Sequence, residues 1–134
     1  MKADPYLFFG GKCAEAIEYY RNVLAAEVRA FVRFGDLPGA TPDAADKVMH
    51  AELNIDGSTI FVSDGGINGG HKDAGYSISL QAADDVEAER LFSALGDGGS
   101  VEVPLMTTPF ASRFGMATDR FGIRWMITTP QPAI

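Results

Sequence analysis

Apolar positions along the chain recur at two periods, and the order in which those periods alternate is run through twice. Tyr6 to Phe9 is a short apolar run that reads as a strand. Cys13, Ala16, Ile17, Tyr20, Val23 and Leu24 follow at helical spacing and predict a helix from about Lys12 to Leu24. Val28 to Phe34, Val48 to Ile55 and Thr59 to Ser63 then read as strands. The last two flank Asp56-Gly57, the dipeptide of tight two-residue hairpins. Between the second and third strands, DLPGATPDAAD carries two prolines and no apolar period, which predicts a surface loop.

The same order begins again at Tyr76 to Gln81, a strand. Ala88, Leu91, Phe92 and Leu95 form a helical stripe opened by Asp84 and Glu87 in capping-box spacing and closed by Gly96, predicting a helix from about Asp85 to Leu95. Strands are expected at Val101 to Leu105, Phe114 to Thr118 and Ile123 to Thr128, the last pair joined through Arg120-Phe121-Gly122. Each half is strand, helix, then three strands. The chain therefore reads as an α+β fold of two βαβββ modules, about 1–64 and 76–128, linked by the glycine-rich stretch Gly65 to Gly75. The helices align at an offset of about 71 residues and the final hairpins at about 65, as in an old duplication.

At 134 residues this is the length of a single domain, 1–134. The net charge of −7 argues against a nucleic-acid partner, which would need clustered Lys and Arg. The only apolar run near the N-terminus is too short for a signal peptide, and no stretch is long enough to span a bilayer, so a cytoplasmic protein is expected. Cys13 is the sole cysteine, which excludes an internal disulfide and a multi-cysteine zinc site. It continues the apolar stripe of the first helix, the place of a packing residue rather than a reactive thiol.

Four segments, YLFFGGKCAEAIEYYRNVLAAEV, KVMHAELNIDGSTIFVSD, SLQAADDVEAERLFSALGDGGSVEVPL and DRFGIRWMIT, stand in an order and spacing that resemble a known family. It is the PhnB-like branch of the glyoxalase/bleomycin-resistance/dioxygenase group, the vicinal oxygen chelate superfamily. The resemblance implies modules whose mixed sheets curl around a shared cavity, a homodimer, and a small-molecule ligand. Metal-dependent members hold a divalent ion with His or Glu on the first and last strands of each module. Matching those positions here gives Pro5 or Tyr6, Phe61, about Ser77, and Met126, none of which replaces an imidazole or carboxylate. No metal and no cofactor are therefore expected. The family has at times carried a methyltransferase label, but no glycine-rich turn between strand and helix looks fit to hold a nucleoside cofactor.

The hairpin identifies what stands on that face instead. A two-residue turn at Asp56-Gly57 pairs Ile55 with Ser58, Glu52 with Phe61 and His50 with Ser63. Alternation then puts Met49, Ala51, Leu53 and Ile55 under the helix, and Val48, His50, Glu52 and Asn54 on the concave side. His50 and Glu52, roughly 7 Å apart along the strand, are candidates for a general acid/base pair in which Glu52 orients the imidazole. A structural hydrogen-bonded pair, a dimer contact, or a metal site built from the two are the alternatives. His71, in the linker, is a solvated side chain or a lid residue. The linker's GGINGG lacks the helix and the Gly-Lys-Ser/Thr ending of a phosphate cradle. In the second module Met106, Phe110, Arg113, Phe114 and Trp125 suit a cavity for a flat or apolar ligand with an anionic group, although core packing accounts equally for Phe114 and Trp125.

The expected ligand-binding set is His50, Glu52, Phe61, Ser77, Met106, Phe110, Arg113, Trp125 and Met126. The expected function is metal-free binding of a small organic molecule. The alternatives are a protein that sequesters an antibiotic or toxic compound and a divalent-metal-dependent lyase or isomerase of the glyoxalase type.

Overall fold

The computed structural model describes residues 2–65 and 76–130. Its contacts divide the chain into two units, Met1–Lys72 and Asp73–Ile134. The first runs β1 (Tyr6–Phe8), α1 (Cys13–Leu24), β2 (Glu27–Arg33), a 3-10 turn (Phe34–Asp36), β3 (Val48–Ile55) and β4 (Ser58–Ser63). The second runs β5 (Ile78–Gln81), α2 (Asp85–Gly96), β6 (Ser100–Thr108), β7 (Ala111–Thr118) and β8 (Arg124–Thr128). Each unit forms one four-stranded sheet, in the orders β1-β4-β3-β2 and β5-β8-β7-β6. In both, the first strand pairs in parallel with the last and the other pairings are antiparallel. This is the expected α+β fold of two βαβββ modules. No helix among the described residues is long and apolar enough to cross a membrane.

The stripe that predicts α1 is the face it buries: Cys13, Ala16, Ile17 and Tyr20 lie in the core with Leu7, Ala51, Leu53, Ile60 and Val62 of the sheet. Lys12 offers the helix no side-chain cap. Asp64, just past β4, does so from a distance: one carboxylate oxygen accepts the N–H groups of Gly11 (2.9 Å) and Cys13 (2.8 Å), the other that of Val48 (2.8 Å). One buried charge thus satisfies orphan donors at the helix start and ties α1 to β3.

In α2 the predicted capping box forms with a displacement. Asp84 accepts the Glu87 N–H at 2.9 Å, but the Glu87 carboxylate reaches back to the N–H of Ala83, at 3.1 Å, instead of that of Asp84. The stripe Ala88, Leu91 and Leu95 is buried, as are Ala117, Trp125 and Ile127 of the sheet. Gly115 faces α2 because a side chain will not fit there: an added Cβ would stand 2.7 Å from the Phe92 ring.

The β3–β4 hairpin turns through Asp56 (φ 48) and Gly57 (φ 95), both left-handed, as a type I′ turn requires. The ladder beyond it runs from Ile55–Ser58 to Ala51–Val62, with Glu52 opposite Phe61. It ends one step short of the expected His50–Ser63 pair. Elsewhere the boundaries shift for identifiable reasons. β2 stops at Arg33 because Phe34 enters a tight turn in which Asp36 accepts the Arg33 N–H at 2.8 Å. β6 continues through Pro104 to Thr108, which an edge strand allows, and its register shifts between Val103 and Met106 accommodate the ring.

Candidate functional site

His50 and Glu52 stand on the face of the first sheet that turns away from α1, both half-buried and alternating with the buried Ala51 and Leu53. β1 brings Tyr6 beside Phe61 in the parallel ladder, one strand from Glu52. The Tyr6 hydroxyl lies 2.9 Å from His50 Nδ1, a hydrogen bond between residues 44 apart in sequence. Rings surround it. Tyr6 stacks on Phe8 with centroids 5.0 Å apart and planes 15° from parallel, while Phe61 lies 5.8 Å from Tyr6 and 5.3 Å from His50. Burial raises the Tyr6 pKa, against a smaller lowering by a hydrogen bond with Ser63, so Tyr6 is a neutral phenol at physiological pH.

Three readings of this face are corrected. The side chain bonded to His50 is Tyr6, not Glu52, and among the described residues Glu52 has no hydrogen bond or ion pair. Val48 is fully buried: the register shift between Val32 and Arg33 sets Arg33 opposite Val48 and skips Met49, and alternation breaks there. Asn54 is buried as well, its side-chain oxygen accepting the Gly57 N–H at 3.1 Å inside the turn.

The second module's open face is apolar at its centre and polar at one end, where Thr118 stands opposite Arg124 and its hydroxyl donates to Glu102. Met116 pairs with Met126 and Met106 with Phe114, and Phe110 meets Phe114 edge-on at 5.2 Å. Met106 and Phe110 are exposed. Met116 was absent from the expected set, though strict alternation from Phe114 would have included it. The neighbour of Met126 on the first strand is Ser79; Ser77 precedes β5.

Arg113 and Trp125 are placed away from this face. Arg113 lies within β7 and pairs with Asp85 (3.5 Å) and Glu89 (3.3 Å) of α2. Trp125 has no exposed surface, and its indole N–H donates to Asp119 at 2.8 Å. Both serve packing within the module. Cys13 is likewise fully buried, and burial together with the Asp64 carboxylate pushes its thiol up to about 12. His71 and GGINGG lie outside the described residues.

The metal positions carry Tyr6, Phe61, Ser79 and Met126, and this donor set does not fit a hard or borderline divalent ion. Tyr6 is a phenol whose pKa burial has raised, Phe61 has no donor atom, and Met126 offers only a thioether. Among the described residues no group of three or more His, Cys, Asp or Glu side chains is placed to hold a metal. Shallow grooves occur elsewhere, where Ile17 and Arg21 of α1 meet Val28 and Phe31 of β2, and where Arg90 and Ser93 of α2 meet Val101 of β6. Neither includes His50 or Glu52, and it is the side-chain chemistry of the open face that singles that face out.

Residues 1–128 match the model of the family described as 3-demethylubiquinone-9 3-methyltransferase. The chain belongs to this family. It is 34% identical over 138 residues to Protein YjdN of Escherichia coli K12, a match covering 95% of this chain and 94% of that one. Among solved structures, protein PA1353 from Pseudomonas aeruginosa is 41% identical with a TM-score of 0.88, covering 98% of this chain and 99% of that one. A Bacillus cereus protein described as a putative 3-demethylubiquinone-9 3-methyltransferase, PhnB protein, is 25% identical with a TM-score of 0.81, covering 96% and 99%. This is the PhnB-like family that the sequence resembles. Within this family member, a glycine pair, Gly10-Gly11, does join β1 to α1, but the helix-start donors of Gly11 and Cys13 are taken by Asp64. The turn is closed by the protein's own carboxylate and leaves no open cradle for a nucleotide.

Proposed function

We propose that this PhnB-like protein binds a small organic molecule on the open face of its first module, with no divalent metal. The reading rests on one observation: His50 is held on one side by the Tyr6 hydroxyl at 2.9 Å, while Glu52, on the same face, has no partner among the described residues. A buried structural pair would bond its two members to each other. Here Glu52 and the second ring nitrogen of His50 are left for whatever covers the face, and Phe8 and Phe61 supply apolar walls. His50 is the group for any proton transfer within the bound molecule, with Tyr6 and Glu52 flanking it. Met106, Phe110 and Met126 form a second, apolar contact surface.

The protein functions as a homodimer. β2 is an edge strand whose Val28 and Phe31 remain 37% and 39% exposed, a liability that pairing with a second copy removes. Sedimentation should give a dimer at micromolar concentration, and a monomer there would count against the assembly.

A thermal-shift screen of divalent metals and flat organic compounds, with elemental analysis of the dialysed protein, tests the binding reading. Organic compounds should stabilise the protein in proportion to the logarithm of their concentration above Kd. Roughly one metal ion per chain surviving dialysis, or stabilisation by metals alone, would overturn it.

A further inference from the structure

We infer that the open face of the first module selects planar organic cations over neutral or anionic molecules of the same shape. This rests on the ligand-site reading above and extends it by assigning the ligand's charge. Tyr6 and Phe8 are stacked within 15° of parallel, so each covers one ring face of the other and leaves its opposite face free, and Phe61 is tilted 5.8 Å from Tyr6. The faces of such rings are electronegative and attract a cation placed within about 6 Å of a centroid. Glu52 adds a full negative charge opposite Phe61 and has no cationic partner among the described residues.

Among the described residues, the surrounding positions supply no compensating positive charge. Ala30 and Val32 of β2 lie opposite Glu52 and His50. The nearby basic side chains are directed elsewhere: Arg29, beside Ala30, pairs with Glu27 at 3.5 Å, Arg33 lies over the Phe31 ring at 4.8 Å and donates to the Asp46 carbonyl at 2.6 Å, and Lys47 reaches the Gly11 carbonyl at 3.3 Å. Arg113, which at the level of sequence suggested an anionic ligand, is neutralised by Asp85 and Glu89 on its own module. The net charge of −7 adds a long-range field of the same sign. A carboxylate or phosphate ligand would meet Glu52 unscreened; a flat cation would meet rings and an unpaired carboxylate.

The test is a charge series on one shape, titrated calorimetrically in one buffer: N-methylquinolinium, quinoline and naphthalene-2-sulfonate. The ring resonances of His50 report where each compound binds. N-methylquinolinium should shift them and bind about tenfold more tightly than quinoline, with the sulfonate weakest. Glu52→Gln should bring N-methylquinolinium down to the affinity of quinoline and leave quinoline unchanged. If that variant does not fold, the wild-type series decides alone. Quinoline or the sulfonate binding as tightly as the cation, with His50 shifted, would overturn the charge selection and leave the ligand site standing. No perturbation of His50 by any of the three would overturn both.

Discussion

On the open face of the first module a phenol, an imidazole and an unpaired carboxylate stand among phenyl rings, whereas the corresponding face of the second carries Met116 against Met126 and Met106 against Phe114. The two modules share strand order, helix position and hairpin placement. What differs is where each spends its charge. The first keeps Glu52, without a partner among the described residues, on the open face. The second has Glu102 bonded to Thr118 there, with Arg124 opposite Thr118, and turns Arg113 toward α2, where Asp85 and Glu89 receive it. A repeated fold can thus keep its core pattern in both copies and set different side-chain chemistry on the two open faces, because the two faces of a strand are filled independently.

The largest effect expected from probing this contrast lies in the second module's core. Trp125→Ala removes a fully buried indole and the donor to Asp119, and should cost about 3–5 kcal/mol in urea denaturation. A loss below about 1 kcal/mol would mean that Trp125 is not the packing residue described. Next comes the alkaline limb of the first module's stability. The Cys13 thiol is pushed up from 9.0 to about 12 in the folded protein, so between these values the unfolded chain has released a proton that the native state retains. Stability is whole below about pH 9 and falls as pH rises toward 12, at up to about 1.4 kcal/mol per pH unit. Denaturation across that range should show the decline in wild type and a flatter curve in Cys13→Ala.

Smaller effects are expected on the open face itself. His50→Gln and Glu52→Gln should each cost under about 1 kcal/mol of stability while weakening binding of N-methylquinolinium about tenfold or more. A stability loss of several kcal/mol would instead mark the pair as structural. The smallest effect belongs to Arg113→Gln, whose ion pairs are partly exposed and should contribute about 0.5 kcal/mol. Its ligand affinities should match wild type, and a selective loss for naphthalene-2-sulfonate would return Arg113 to the site.

The contrast between the modules also explains which features were legible in the sequence. The position of Glu52 opposite Phe61 follows from Asp56-Gly57, since the type I′ turn is local and sets every pair that follows it. The Tyr6–His50 bond was not legible, because it depends on the parallel pairing of β1 with β4, which no turn specifies. Arg113 was misplaced because Ser112-Arg113 is polar and reads as loop, while pairing with β6 extends β7 back to Ala111. Trp125 was legible by alternation: Arg124, Met126 and Thr128 share one face of β8, which leaves Trp125 and Ile127 as the apolar, buried one. Val48 was misassigned through the skipped Met49, a bulge that leaves no local mark in the residues.

The left-handed pair Asp56 and Gly57 has a further consequence, for inheritance. Because strand side chains alternate with a period of two, deleting a single residue from that turn would carry every inward position of one strand outward relative to its partner. Glu52 would lose Phe61 as its neighbour with no substitution at either residue. Point mutations can therefore tune this face gradually, but a length change at a surface turn beyond it would dismantle it in one step. Lineages that retain the face should show a turn of constant length even where its residues vary.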